Sequence, residues 1–283
     1  MRILILGSKG MLGQALQRAC SPDTVVGWDR EELDITDASA VAERLPGAEP
    51  DVVVNAAAYT DVEGAEREPE VADRVNGHAV GVLAEVCSRY DLPLVHVSTD
   101  YVFGNERKAG YRETDEPRAP GSTYGRSKLI GEVFLRKRAQ KYWLVRTAWL
   151  FGPHGKHFVD TMLRIGSEKR EVHVVKDQHG SPTYTRDLAH AIYTLVADGA
   201  PFGMYHLTNS GVTTRAEFAR AIFADAGMDV RVTPITSEEC QNRAKRPKWS
   251  TLKNTKRPPL RPWRVALQEY LRTVVPPSQY EKR

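Results

Sequence analysis

The sequence predicts an α/β fold: a doubly wound parallel sheet with a smaller, mostly C-terminal α/β lobe. Two observations lead to this prediction. Short apolar runs alternate with longer amphipathic runs through the first half of the chain, and a glycine-rich stretch at 7–13 joins the first apolar run to the first amphipathic one. Alternation of this kind indicates strands connected by helices that cover both faces of a parallel sheet.

The predicted elements follow one another regularly up to residue 150. Each strand is a short apolar run, and each helix has apolar residues three or four positions apart. The strands are predicted at 2–6, 24–28, 51–55, 92–99 and 142–150, and the helices at 10–20, 38–45, 70–90 and 123–138. Beyond residue 150, strands are predicted at 171–175 and 204–208, and helices at 185–198, 213–227 and 262–274.

The composition of the 283-residue chain is that of a globular protein, with 41% hydrophobic and 27% charged residues. No apolar run approaches the ~20 residues that a membrane-spanning helix needs. Three cysteines, Cys20, Cys87 and Cys240, are scattered along the chain, which is typical of reduced thiols rather than of a disulfide framework. We therefore expect a cytoplasmic protein that does not act on a membrane.

The net charge of +4 is spread unevenly, since residues 243–264 contain nine lysines or arginines and no acidic residue. Three interpretations are open. The stretch is a solvated basic loop, or it binds nucleic acid, which the lack of a nucleic-acid-binding motif disfavours. In the third interpretation it binds a small polyanion such as a diphosphate, which Arg and Lys recognise by charge and by forked hydrogen bonds.

The glycine-rich stretch predicts a dinucleotide site. Gly7, Gly10 and Gly13 lie between the first strand and the first helix, where glycines permit a tight turn and a close approach of backbone to a pyrophosphate. A helix that begins at Met11 and Leu12 would present free N–H groups to that pyrophosphate. The spacing is G-x-x-G-x-x-G rather than G-x-G-x-x-G, but its place between a strand and a helix favours a Rossmann-type fold.

Residues after the second strand predict how the adenosine end of a dinucleotide is held. Asp29 can accept hydrogen bonds from the ribose hydroxyls and would repel a 2′-phosphate, whereas Arg30 could attract that phosphate. NADH and NADPH therefore both stay open as cofactors. Asp34 and Ile35 are weaker candidates for contacts near the adenine.

A tyrosine and a lysine four residues apart, Tyr124 and Lys128 in YGRSK, lie on one face of a predicted helix. The fourth predicted strand ends at Thr99. Because a dinucleotide-binding sheet carries its chemistry at the carboxyl ends of its strands, we expect these three side chains to meet beside the nicotinamide.

Several motifs in order resemble the extended short-chain dehydrogenase/reductase family. Within that family the chain is most similar to the dTDP-4-dehydrorhamnose reductases, over residues 1 to about 272. The motifs are the glycine loop, NAAAYT at 55–60, STDYVFG at 98–104, YGRSK at 124–128, RTAWLFG at 146–152, DQHGSPTYTRDLA at 177–189 and RPKWSTLKNT at 246–255.

The resemblance implies an oxidoreductase with two domains. The dinucleotide-binding Rossmann domain would comprise 1–150 plus about 171–208, and the substrate-binding lobe about 151–170 plus 209–283. With NADPH or NADH, the enzyme would reduce the C4 ketone of dTDP-4-dehydro-6-deoxy-L-mannose to dTDP-L-rhamnose, the last step of dTDP-rhamnose biosynthesis.

The resemblance also implies roles for individual residues. Tyr124 would donate its proton to the carbonyl oxygen as general acid, and Thr99 would hydrogen-bond the same oxygen. Lys128 would lower the pKa of Tyr124 and hold the nicotinamide ribose. The cofactor side would also include Ala56, Ala57 and Ala58. The substrate side would include Thr60, Val62, Thr99, Asp100, Tyr101, Trp149 and Arg246, with the basic stretch facing the dTDP diphosphate.

No metal is predicted. Some reductases of this family hold Mg²⁺ through glutamates at a dimer contact, but the matching position in this sequence is Ala15. His154 and His157 are interpreted as loop histidines rather than ligands, because no cysteine or acidic cluster accompanies them. A homodimer stays open, and the partner expected is a dTDP-sugar rather than nucleic acid.

Two alternative functions stay open. Another nucleotide-sugar 4-ketoreductase or 4-epimerase of the superfamily would share the glycine loop and Y-x-x-x-K, although epimerases tend to carry a serine-rich segment where this chain has STDYVFG. A protein similar to the regulatory subunit of methionine adenosyltransferase would bind a dinucleotide without catalysis. The intact set of Thr99, Tyr124 and Lys128 argues against a purely regulatory role.

Overall fold

The computed structural model describes residues 1–104, 106–118, 120–240 and 242–274. Its strands are β1 Arg2–Leu6, β2 Thr24–Trp28, β3 Val52–Asn55, β4 Leu94–Thr99, β5 Tyr142–Thr147, β6 Leu150–Phe151, β7 Glu171–Val175, β8 His179–Gly180, β9 Thr183–Tyr184, β10 Gly203–His206, β11 Asn209–Ser210, β12 Thr213–Thr214, β13 Arg231–Ile235 and β14 Leu260–Pro262. Its helices are α1 Met11–Ala19, α2 Ala38–Gly47, α3 Val62–Arg67, α4 Pro69–Asp73, α5 Ala79–Arg89, α6 Thr123–Arg138, α7 Phe158–Glu168, α8 Thr185–Ala197, α9 Arg215–Asp225 and α10 Trp263–Val274.

Six parallel strands form the central sheet, in the order β2-β1-β3-β4-β5-β10. The chain runs outward from β1 to β2 and then returns to the other side of β1 with β3. In sheets of this type, ligands bind outside the carboxyl ends of the strands at such a reversal. The predicted doubly wound parallel sheet is therefore confirmed.

Helices cover both faces of the sheet because side chains alternate along each strand. Ile3 and Ile5 of β1 lie in a buried cluster with residues of α1 and α8, whereas Leu4 and Leu6 lie in a second cluster with residues of α2 and α5. This alternation places α1, which follows the glycine loop, directly against the strand from which that loop emerges.

A third buried cluster joins α7, α9 and α10 with β7. Residues 171–175 form the predicted strand, and this strand, β7, pairs with β13 outside the large sheet. Val172 and Val174 turn their apolar side chains into the third cluster, which accounts for this pairing. Helix α8 and strand β10 do pack with the large sheet, and the predicted division of the chain into two domains stays a prediction.

Two predicted elements differ from the observed ones close to the candidate site. The helix predicted at 70–90 is observed as α4 and α5, joined by one turn of π-helix at Arg74–His78. The strand predicted at 142–150 ends at Thr147, and two residues later Trp149 adopts φ +47°. A tryptophan in this left-handed region cannot continue a strand, so the chain turns at this point.

A buried ion pair fixes α6 against the sheet. Arg146 on β5 donates to both carboxylate oxygens of Glu132 on α6, at 2.9 and 2.6 Å, and Ser98 on β4 donates to the same carboxylate at 2.6 Å. The Arg146 and Glu132 side chains are 0% and 1% exposed. Three elements therefore meet at one buried carboxylate.

We expect Glu132→Gln to lower the free energy of unfolding by about 3–5 kcal/mol, because Arg146 would be left as an uncompensated buried charge. Urea denaturation at neutral pH measures this difference. Glu116→Gln is the matched control, since Glu116 makes a similar two-pronged contact with Arg136 but the pair is exposed to solvent. Its loss should stay below about 1 kcal/mol. Equal losses in the two variants would contradict the role given to the buried pair.

Candidate active site

The glycine loop has the close backbone contacts that a pyrophosphate cradle needs. Gly7 adopts φ +77°, and a Cβ on this residue would lie 2.7 Å from the backbone nitrogen of Ala57. A Cβ on Gly13 would lie 2.1 Å from the carbonyl oxygen of Gly7. Gly10 precedes α1 without a side-chain cap, so N–H groups of the first turn at Met11 and Leu12 stay available to an anion. These residues fit the phosphates of a dinucleotide.

Asp29 follows β2 and is hydrogen-bonded to the glycine loop. Its carboxylate accepts from the backbone N–H of Lys9 and of Arg30, both at 2.9 Å. Lys9 also pairs with Glu31 at 2.8 Å and was not predicted as a site residue. Lys9 and Arg30 thus place two positive charges beside Asp29, the residue predicted to bind the ribose. These charges could bind a 2′-phosphate.

The other predicted cofactor residues lie in the turns after β2 and β3. Asp34 accepts hydrogen bonds from the backbone N–H and the hydroxyl of Thr36, which lower the pKa of its carboxyl group. Ile35 is buried in the cluster with α2 and α5. The segment of Ala56, Ala57 and Ala58 is half-buried at the carboxyl end of β3 and faces the glycine loop at Gly7.

Helix α6 turns one polar face toward β4. Tyr124, Lys128 and Glu132 are spaced by four residues and therefore project from the same side of the helix. Thr99 lies close enough to Tyr124 to lower its pKa, and Lys128 Nζ donates to the carbonyl oxygen of Val97 at 2.7 Å. The structure thus brings together the three predicted catalytic residues at the end of β4.

The titration properties of this group differ in part from the expectation. Burial raises the pKa of Tyr124, and the hydrogen bond with Thr99 opposes that rise only in part. The pKa of Tyr124 is therefore raised overall because desolvation dominates, and the expected lowering by Lys128 stays a prediction. Burial also lowers the pKa of Lys128 to about 8, against the attraction of Glu132. Tyr124 is held as a protonated acid beside a lysine that can lose its proton.

Asp100 and Tyr101 begin a short helical turn after Thr99, and both side chains are buried. Burial raises the pKa of Asp100 to about 6, opposed by a hydrogen bond from Ser250. Burial also raises the pKa of Tyr101, opposed by the charge and a hydrogen bond of Arg215. Arg215 and Ser250 were not predicted as site residues, although Ser250 lies in the motif RPKWSTLKNT, because only the folded chain brings them to β4.

Arg215 also contacts Trp149. Its guanidinium carbon lies 3.6 Å from the centre of a Trp149 ring, a cation–π contact, and 5.0 Å from that of Phe158. Trp149 is half-buried and packs closely against Gly180. The ring is thus already stacked on a cation, and its predicted contact with a hexose stays a prediction.

The remaining predicted substrate residues lie around the start of α3. Thr60 is exposed, and Val62 opens the helix. Arg246 pairs with Glu63 at 2.9 Å, and the same carboxylate accepts from the backbone N–H of Arg243 at 3.1 Å. The basic stretch therefore crosses to this edge of the sheet. Five of its nine cations form ion pairs with carboxylates: Arg246, Lys248, Arg257, Arg261 and Arg264.

Asn76 is a further residue that the sequence did not indicate. It lies in the π-helical turn and is 1% exposed. Its side-chain oxygen accepts from the backbone N–H of Tyr59, and its side-chain NH₂ donates to the carbonyl oxygen of Tyr59, both at 2.9 Å. It also donates to Ser127 on α6 at 3.0 Å. Turns of π-helix occur often at functional sites. Here the turn connects the segment after β3 to the helix that carries Tyr124.

A groove of about 1100 Å³ lies between α1, α8 and α10, and Met11 of the predicted cofactor site is among the residues that line it. His154 lines it and contacts Arg18 at 3.2 Å, while His157 caps α7 and contacts Tyr270. Within the ranges that the structure describes, there is no group of three or more His, Cys, Asp or Glu side chains arranged to hold a metal, and no helix is long and apolar enough to cross a membrane.

Comparison with known proteins agrees with the geometry. The model of one protein family, described as the RmlD substrate binding domain, matches residues 1–275. The chain belongs to this family. A dTDP-4-dehydrorhamnose reductase of Mycolicibacterium smegmatis is 41% identical, with 97% of this chain and 86% of that protein covered.

Two further relatives broaden the comparison. A probable dTDP-4,6-dihydroxy-2-methyloxan-3-one 4-ketoreductase of Streptomyces antibioticus is 40% identical, with 95% and 94% covered. The structure of a dTDP-4-dehydrorhamnose reductase of Bacillus anthracis in complex with NADP superposes with a TM-score of 0.92 at 37% identity, with 96% and 99% covered. The family thus includes a member solved with a nicotinamide dinucleotide.

The raised pKa of Asp100 predicts a pH-dependent loss of stability. Its folded pKa of about 6 exceeds the ordinary 3.8, so the folded state binds a proton that the unfolded state releases. Stability is therefore lost as pH rises from about 4 to 6. Relative to wild type, Asp100→Asn should gain about 3 kcal/mol over this window, measured by urea denaturation at a series of pH values.

Asp115→Asn provides the opposite control. A backbone hydrogen bond from Arg112 lowers the pKa of Asp115, so its stabilisation is present above the ordinary pKa and is lost as pH falls. The difference between variant and wild type should therefore change with the opposite sign below about pH 4 and stay nearly flat above about pH 5. A flat difference for Asp100→Asn between pH 4 and 7 would show that Asp100 is not held neutral by the fold.

Proposed function

We propose that this chain reduces the C4 ketone of dTDP-4-dehydrorhamnose to dTDP-L-rhamnose, with NADPH or NADH as cofactor. The observation that carries the proposal is the meeting of Thr99, Tyr124 and Lys128 at the end of β4, on the same edge of the sheet as the glycine loop. Membership of the family and the intact motif set support the same reaction over non-catalytic dinucleotide binding.

The proposed chemistry divides between the three side chains. When bound, the dihydronicotinamide supplies a hydride to the carbonyl carbon. Tyr124, kept protonated by burial, donates its proton to the carbonyl oxygen as negative charge develops there. Thr99 donates a hydrogen bond to the same oxygen. Lys128 supplies positive charge near the phenolate that remains on Tyr124.

The substrate side is proposed to involve Asp100, Tyr101, Trp149 and Arg246, together with Thr60 and Val62 at the start of α3. Arg246 would receive the diphosphate, since a guanidinium binds phosphate oxygens with forked hydrogen bonds. A homodimer and a cytoplasmic location remain predictions. The 40% identity to a 4-ketoreductase for another dTDP-linked sugar favours one second candidate, the same reduction on a different 4-keto sugar.

We expect Tyr124→Phe to reduce kcat by about a hundredfold or more, because general acid catalysis contributes roughly 10²–10⁴ to such a reaction. Affinity for NADPH should stay nearly unchanged, since the proton is used in the transition state. The measurement is dihydronicotinamide absorbance with dTDP-4-dehydro-L-rhamnose and either cofactor.

Tyr90→Phe is the matched control. Tyr90 follows α5, is 49% exposed, and lies before β4, at the opposite edge of the sheet from Thr99. Removing its hydroxyl should leave turnover at the wild-type level. Wild-type turnover in Tyr124→Phe would reject Tyr124 as the acid. No oxidation by a folded, cofactor-bound wild type would favour a different keto sugar first and a regulatory protein second.

We expect Asp29→Ala to shift cofactor preference from NADH toward NADPH, because it removes the carboxylate that would bind the ribose hydroxyls and repel a 2′-phosphate. The ratio of kcat/KM for the two cofactors is the measurement, since loss of the Lys9 contact could weaken both. Glu31→Ala removes a nearby exposed carboxylate that pairs with the Lys9 side chain. An equal shift in Glu31→Ala would indicate a general charge effect rather than a ribose contact at Asp29.

A further inference from the structure

A chain of three buried side chains ends at Lys128. Asn55 at the end of β3, His96 on β4 and Lys128 on α6 are 1%, 0% and 2% exposed. Asn55 Nδ2 lies 3.1 Å from His96 Nδ1, and His96 Nε2 lies 3.4 Å from Lys128 Nζ. Neither Asn55 nor His96 has a role in the chemistry described above.

A backbone contact fixes the direction of the hydrogen bonds between these three side chains. The N–H of Ala57 donates to Asn55 Oδ1 at 3.1 Å, so the amide oxygen is committed to the backbone and the NH₂ group faces His96. An amide NH₂ can only donate, so His96 Nδ1 must accept. Burial holds the pKa of His96 well below its usual range, so the ring is neutral. Its single proton therefore lies on Nε2, which faces Lys128.

An N–H that faces Lys128 Nζ favours one protonation state of the lysine. A neutral amine has a lone pair that can accept this hydrogen bond, whereas an ammonium group can only donate. Lys128 already donates to Val97 O on its other side. The neutral amine can therefore donate to Val97 and accept from His96, whereas the ammonium meets a like donor at His96.

We propose that His96, oriented by Asn55, is a positioning residue that presents its Nε2–H to the Lys128 amine and thereby makes the lysine proton exchangeable during turnover. The inference rests on the proposed function for the part played by Lys128. Per turnover, Tyr124 loses one proton to the ketone oxygen, Lys128 returns one to the phenolate, and solvent returns one to Lys128. His96 keeps its proton throughout.

The other charged groups around Lys128 do not account for a labile proton. Glu132, one turn further along α6, attracts the ammonium form, but its carboxylate is committed to Arg146 and Ser98. Tyr124, one turn earlier, is neutral because burial raises its pKa. Burial and the His96 N–H act in the same direction, and both favour the amine.

Nuclear magnetic resonance of the full-length protein tests this without any substrate. In protein labelled with ¹⁵N-histidine, the His96 ring signals, assigned with His96→Gln, should show a neutral ring protonated on Nε2 from pH 5 to 9. In protein labelled with ¹³C-lysine, the Lys128 signal, assigned with Lys128→Met, should titrate near pH 8. A His96 ring protonated on Nδ1, or a Lys128 midpoint above pH 10, would overturn the proposal.

Asn55→Asp should reverse the direction of the hydrogen bonds from residue 55 to Lys128, and it keeps an oxygen that can accept from the N–H of Ala57. Its carboxylate would accept from His96 Nδ1–H, so the Nε2 lone pair would face Lys128 and stabilise the ammonium. The His96 tautomer should invert and the Lys128 midpoint should rise by at least one pH unit. Asn76→Asp adds the same charge near α6 without a contact to His96, so the tautomer there should not change.

The two variants separate the proposal from a simple charge effect. An unchanged His96 tautomer in Asn55→Asp would overturn it, whatever the lysine does. If the enzyme turns over a 4-keto sugar, the alkaline limb of its kcat–pH profile should move with the Lys128 midpoint, a shift that a merely structural role would not produce. If no sugar is reduced, the proposed function fails while both titrations still decide the role of His96.

Discussion

The arrangement of the site depends on one buried carboxylate. Glu132 is held by Arg146 from β5 and Ser98 from β4, and breaking such a pair leaves an uncompensated charge, so α6 has one well-defined position on the sheet. Lys128 and Tyr124 stand one and two turns before Glu132 on the same helix face. Fixing Glu132 therefore also fixes the position along β4 at which Lys128 contacts the strand and at which Tyr124 lies next to Thr99.

Strand β4 carries polar side chains that contact this face of α6. A strand covered by helices on both sides normally reads as an apolar run. On β4, however, His96 and Ser98 alternate with the apolar Val95 and Val97, and so point to one face. Each meets a polar group from α6, since Ser98 bonds Glu132 and His96 faces Lys128. Buried polar groups of β4 are thus paired with polar groups of α6, so that they do not destabilise the apolar core. The same pairing restricts movement of α6 along the sheet.

Local patterns predicted most of the sheet and its carboxyl edge because each strand, turn and helix start depends on residues close together in sequence. The glycine loop and the spacing of Tyr124 and Lys128 belong to this class. The missed features depend on partners far along the chain. Arg215 reaches Tyr101 from α9, β7 pairs with β13, and Asn76 in the π turn is hydrogen-bonded to Tyr59 and Ser127. No periodicity within a short window encodes such contacts.

Distant segments also explain why the basic stretch is not simply a solvated loop. Arg246 reaches Glu63 on α3, and Ser250 reaches Asp100 beyond β4, so the stretch is attached to the carboxyl edge of the sheet at two points. A diphosphate bound at Arg246 would compete with Glu63 for the same guanidinium. Since Glu63 also accepts the backbone N–H of Arg243, weakening one contact would loosen its neighbour. Binding of an anion there would thus be coupled to the position of α3, the helix that begins beside Thr60 and Val62.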